Sequence, residues 1–138
     1  MRQLSRIHVG NSKTDVRDAY VITHAYTRLI NQMRSALVGT HPAFEHVLHG
    51  QMIHRKWILH LLAKYGGPTK IRRVGKARLA AFARSHRAHN PEPVIDAMLA
   101  AIHAQTVTIA GAEYAELGIA MSAKDALAKL EHRKEIEA

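Results

Sequence analysis

"TDVRDAYVITHAYTRLINQMRSALVG", Thr14 to Gly39, decides the fold. Its apolar residues Val16, Ala19, Tyr20, Ile22, Ala25, Tyr26, Leu29, Ile30, Met33 and Leu37 recur at spacings of three and four. That is the period of one stripe along an α-helix, with Arg17, Arg28 and Arg34 on the other faces. Upstream, Gly10-Asn11, Ser12 and Thr14 supply turn and N-cap chemistry. Residues 1–11 are therefore expected to be irregular, with a helix from about Thr14 to Val38 ended by Gly39.

The helical period continues along the chain. "THPAFEHVLHG" reads as a short helix with Thr40 as cap and Gly50 as stop, and "QMIHRKWILHLLAKYGG" as a longer one closed sharply by Gly66-Gly67-Pro68. "PTKIRRVGKARLAAFARSH" gives a short helical turn, a break at Gly75 and a helix over about 76–85. Asn90 is the expected cap of the next helix, whose buried stripe is Val94, Ile95, Met98, Leu99 and Ile102. From Gly111 onward, Leu117, Met121, Leu127 and Leu130 are spaced like a coiled-coil seam. With 47% hydrophobic but only 5% aromatic residues, the composition also favours packed helices. The expected fold is all-α, an extended array of about five to six helices with a coiled-coil-like C-terminal helix.

The 138 residues suit one domain, and the lack of cysteine removes disulfides, thiolate metal sites and thiol nucleophiles. There is no apolar run of signal-peptide or bilayer length, so a soluble, cytoplasmic protein without a membrane partner is expected. The formal charge is +9, and no acidic residue occurs from His46 to Pro91. That stretch carries Arg55, Lys56, Lys64, Lys70, Arg72, Arg73, Lys76, Arg78, Arg84 and Arg87. A polyanion is the natural partner, and nucleic acid is favoured over a merely solvated basic face.

Several motifs carry chemistry, each with a structural alternative. Asp15 and Asp18, three apart on one helical face, could reach a common divalent cation, or could serve the start of the helix through its dipole and free N–H groups. The pairs His46/His49 and His86/His89 lack the carboxylate or thiolate neighbours of a zinc site and read as a surface set whose protonation strengthens polyanion binding. Trp57 and Phe82 fit the apolar stripes, which leaves Tyr65 as the aromatic open to base stacking. Residues 71–88 have a helix-turn-helix flavour, yet without a base-reading amide the cations suit phosphate contact better than sequence readout. No serine sits in a nucleophile turn.

"SKTDVRDAYVI", Ser12 to Ile22, resembles the KTDxxDA motif that closes the RNase-H-like (RuvC-type) domain of DEDD insertion-sequence transposases, relatives of pilin-gene-inverting recombinases. The segments "TRLINQMRSALVGTHPAFEHVL" and "LLAKYGGPTKIRRVGKARLAAFARSHRAHN" resemble the same family's next region, in the same order. The resemblance implies that residues 1–26 are the remnant of the C-terminal end of the nuclease-like domain and 27–138 a helical connector that binds nucleic acid. It also implies that Asp15 and Asp18 match the last two acids of a catalytic, Mg²⁺-binding tetrad. Nothing here matches the first two acids or the family's separate serine domain. Tyr26 runs directly into Thr27, where the family has an intervening helical stretch, so an internal deletion is implied. The expectation is a truncated transposase, not catalytically competent alone, with a vestigial metal site that binds no Mg²⁺ tightly. Its implied partners are DNA, element-encoded RNA, a second copy or an intact transposase. The alternative is a non-enzymatic basic helical interaction module that binds nucleic acid or dimerises through residues 111–138.

Overall fold

The structure, a computed structural model, describes residues 3–137, and the side-chain surroundings of residues 16–136. The described residues form seven α-helices and one 3-10 turn, with no strand. They are α1 (Gln3–Thr40), α2 (Pro42–Val47), the 3-10 turn (Gly50–His54), α3 (Lys56–Tyr65), α4 (Pro68–Val74), α5 (Lys76–Ser85), α6 (Glu92–Ala104) and α7 (Ala112–Glu137). The all-α class holds, while the count exceeds the five to six expected. The array also folds back on itself: one continuous core runs from Tyr26 in α1 to Ala126 in α7.

α1 corrects the expected start. It is helical from Gln3, through Gly10 and Asn11, and ends one residue beyond Gly39. A glycine inside a helix costs about 1 kcal/mol, which a 38-residue helix absorbs, because extending a nucleated helix is easier than starting one. Thr40 does not cap α2. Its hydroxyl donates back to the Ala36 carbonyl at 2.7 Å, and the N-cap position of α2 is His41, without a side-chain cap. Nor does Asn90 cap α6, whose N-cap position is Pro91. Residues 50–54 tighten into the 3-10 turn, so α3 begins at Lys56 rather than at Gln51.

α3 lies at the centre, with Trp57, Ile58, Leu59, Leu61 and Leu62 all buried between α7, α5 and the 3-10 turn. α7 runs antiparallel to α1, since Glu116 meets His41 at one end of the pair and Arg133 meets Thr23 at the other. The coiled-coil-like seam exists and is satisfied within the molecule, but its residues differ from those expected. Ala112, Glu116, Ile119, Ala123 and Ala126 are buried, with Leu127 and Leu130 partly so, whereas Leu117 and Met121 are exposed. The buried positions alternate by four and three, and the small alanines let the backbones of α7 and its neighbours approach closely.

Glu116 explains the Gly66-Gly67 pair. A Cβ on Gly66 would lie 2.8 Å from the Glu116 carbonyl oxygen, and one on Gly67 would lie 2.7 Å from Glu116 Cγ. With no side chain there, Glu116 reaches the start of α4. Its Oε1 accepts from the Thr69 amide at 3.2 Å, and its Oε2 accepts from the Thr69 hydroxyl at 2.7 Å and from His41 Nε2 at 3.0 Å. The N-cap position of α4 is Gly67, which has no cap of its own, so a carboxylate 47 residues away in sequence does that work. This clamp sets α4 against α7 and against the end of α1.

Candidate nucleic-acid interface

All ten cations singled out in the sequence are exposed, but they do not form one uniform field. The acid-free stretch acquires acids from elsewhere: α6 brings Asp96 to Lys76 at 2.9 Å and Glu92 to Arg84. These exposed pairs hold α5 against α6 while reducing its free charge. Arg55 and Lys56 stand at the start of α3, and Arg78 and Arg87 on and just after α5. The closest gathering is on α4 and the end of α3. Arg72 and Arg73 face a groove toward α7, and Lys64, Lys70 and Arg73 border a second, adjoining one.

The first groove encloses about 1070 Å³. One wall is the face of α4 carrying Thr69, Arg72 and Arg73, and the other is the extended segment 105–109 together with the first turns of α7, including Glu113, Tyr114 and Leu117. The extended wall is pinned to the end of α1 by Gln105, whose Nε2 donates to the Thr40 carbonyl at 2.8 Å and to the Val107 carbonyl at 3.1 Å. The Glu116 clamp fixes the α4 wall relative to α7, so the groove's width is built in.

The aromatic residue beside this groove is not Tyr65. Tyr65 is half-buried, edge-on to Phe82 at 5.8 Å, with Lys64 Nζ over both rings at 5.5 and 5.1 Å. Tyr114, 82% exposed, is the open one. Sequence reasoning missed it because it sits between Glu113 and Glu116 in a segment read for its leucines. No signal in the sequence alone separated it, because Tyr114 lies three residues before Leu117, in phase with the leucine seam that was expected. Trp57 is buried and Phe82 partly buried against the core, as expected.

Among the histidines, His60 stacks on His86 with ring centroids 4.0 Å apart. Burial first, then His86 and Lys56, push the His60 pKa below its ordinary 6.5. Burial and the Arg34 guanidinium do the same to His54, whose Nδ1 is hydrogen-bonded to the Tyr26 hydroxyl at 2.8 Å. Burial in turn raises the Tyr26 pKa, against the opposing pull of Arg133 and Arg34. His46 and His49 are exposed and stacked at 6.2 Å.

The aspartates lie elsewhere. Asp18 is exposed on α1, and the side chain of Asp15 lies outside the described residues. Both are more than three turns past Gln3, so the expected helix-start role is corrected: the dipole's effect fades within the first turn. Among the described residues, no three or more His, Asp or Glu side chains gather so as to hold a metal ion. Among the same residues, no helix is long and apolar enough to cross a membrane.

The fold and this surface together define an all-helical protein with a cation-bordered, aromatic-flanked groove. Among curated proteins, the chain is 26% identical to the "Insertion element IS110 uncharacterized 43.6 kDa protein" of Streptomyces coelicolor, over 172 aligned positions that take in 100% of this chain and 42% of that protein. It thus spans less than half the length of the curated relative it matches. The alignment is longer than the 138 residues here, so the relative carries residues that face gaps in this chain. No protein-family model and no solved structure matches.

Proposed function

We propose that this chain is the nucleic-acid-holding helical part of an insertion-sequence transposase of the DEDD type, and that taken alone it binds nucleic acid without cutting it. The observation that carries this reading is the similarity of the whole chain to an insertion-element protein, together with the KTDxxDA-like segment at its start. An internal deletion at the join of Tyr26 and Thr27 would leave the relative with residues that this chain lacks, and the alignment is longer than the chain. Phosphate contact falls to the exposed cations of α3 to α5, foremost Arg72 and Arg73, whose planar guanidinium groups suit phosphate oxygens. Two of four acids make a poor hard-cation site, since such sites need several oxygens converging. The chain alone therefore holds Mg²⁺ weakly and supplies binding to DNA or element-encoded RNA.

The double variant Arg72→Ala/Arg73→Ala tests this assignment. Anisotropy of a labelled duplex or structured RNA at low salt should show affinity falling about ten-fold or more, with the loss shared across sequences. Unchanged affinity would remove these two residues from the interface.

A further inference from the structure

The groove between α4 and α7 is concave, and duplex nucleic acid is read mainly by elements that protrude into its grooves. A cleft of about 1070 Å³ has room instead for unpaired nucleotides. Its surface is of two kinds. Arg72 and Arg73 supply positive charge on one wall, while Tyr114, Val107, Leu117 and Ile109, exposed by 82%, 68%, 59% and 37%, supply flat or apolar surface on the other. A ligand with both an anionic backbone and planar apolar faces matches that pairing. A purely acidic peptide would leave the apolar wall wet, and an apolar peptide would leave the guanidinium groups unanswered.

The wall offers more than apolar contact. Among the described residues, the amides of Thr106, Val107 and Thr108 donate no hydrogen bond within the chain. Glu113, which lines both grooves, repels phosphate and so biases a backbone toward the α4 wall, and its carboxylate can accept from a base amino group. Gln105 is committed to holding the wall in place.

We propose that this groove binds single-stranded nucleic acid, with a base stacked on Tyr114 and its flanking phosphates held by Arg72 and Arg73. The inference rests on the nucleic-acid reading above and adds the strand state of the ligand and the residue that senses it. Because Tyr114 projects from the first turn of α7 into solvent, its replacement leaves the core intact.

Fluorescent 12-mers of oligo(dT) and oligo(U), and a 12-base-pair duplex, would be titrated at low salt with the whole chain, Tyr114→Ala and Tyr114→Phe, folding being checked by circular dichroism. A single-strand preference is expected, whichever of the two oligomers binds tighter, and that choice separates DNA from RNA. Tyr114→Ala should weaken single-strand binding about five- to a hundred-fold, and Tyr114→Phe, which keeps the ring, should retain it. Duplex affinity should stay within about two-fold, as stacking is not used there. An equal loss on all ligands, or none, would overturn the proposal. Binding to duplex but not to single strands would sink it while leaving the functional reading intact, and binding to neither would remove both.

Discussion

Residues 16–21 and 26–37 belong to one helix and share one hydrophobic period, yet they live in different surroundings. In the second stretch Tyr26, Ile30, Met33 and Leu37 are buried where α1 packs against α7 and α2, with Met33 and Leu37 at 0% exposure. In the first, Val16, Tyr20 and Val21 are 70%, 66% and 57% exposed. Periodicity dictates which face of a helix is apolar. It does not dictate whether anything covers that face, which depends on where neighbouring elements pack.

The contrast can be broken by truncating one side chain from each half. Leu37→Ala should lower the unfolding free energy by about 2–5 kcal/mol, the range for an emptied core site. Tyr20→Ala should change it by no more than about 0.5 kcal/mol. Denaturant unfolding of the two variants decides, and a large loss from Tyr20→Ala would show that the first stretch is covered in solution.

The buried half is anchored by the Glu116 clamp on His41 and Thr69. Glu116→Ala should cost about 1–3 kcal/mol, because buried donors lose their acceptor. An unchanged unfolding midpoint would mean that α4 is held by packing alone. The same clamp shows the limit of what the chain revealed beforehand. The Gly66-Gly67-Pro68 boundary, the Gly75 break and the stripes of α3 and α6 were legible, because strong breakers and regular leucines and isoleucines mark them. The seam of α7 was not, since alanines and one glutamate occupy it, and burial there depends on close backbone approach and on a threonine 47 residues away. The cations were legible as a group, but their sorting into paired Lys76 and Arg84 and groove-lining Arg72 and Arg73 required α6 and α7 to be in place.

A smaller effect comes with pH. His54 and His60 have pKa values below the ordinary 6.5, so as pH falls below about 6.5 the unfolded chain takes up protons that the folded chain refuses. Their contribution is full above that value and is lost progressively toward their lower folded-state values. The melting temperature should therefore fall between pH 7 and pH 5.5, and His60→Phe, which keeps a ring against His86, should flatten the fall. A steeper fall in the variant would contradict this. The smallest effect expected is at Asp18, exposed on the uncovered stretch of α1. Isothermal titration with Mg²⁺ should detect only weak binding, unaltered by Asp18→Ala, and tight binding abolished by that change would show a working site.

The most direct test of nucleic-acid binding is the salt dependence of the whole chain's affinity for a labelled nucleic acid. If the cations of α3 to α5 displace counterions, the logarithm of the association constant should fall linearly with the logarithm of salt concentration, with a slope of about −3 or steeper. A flat dependence, or no binding at about 50 mM salt, would contradict the account.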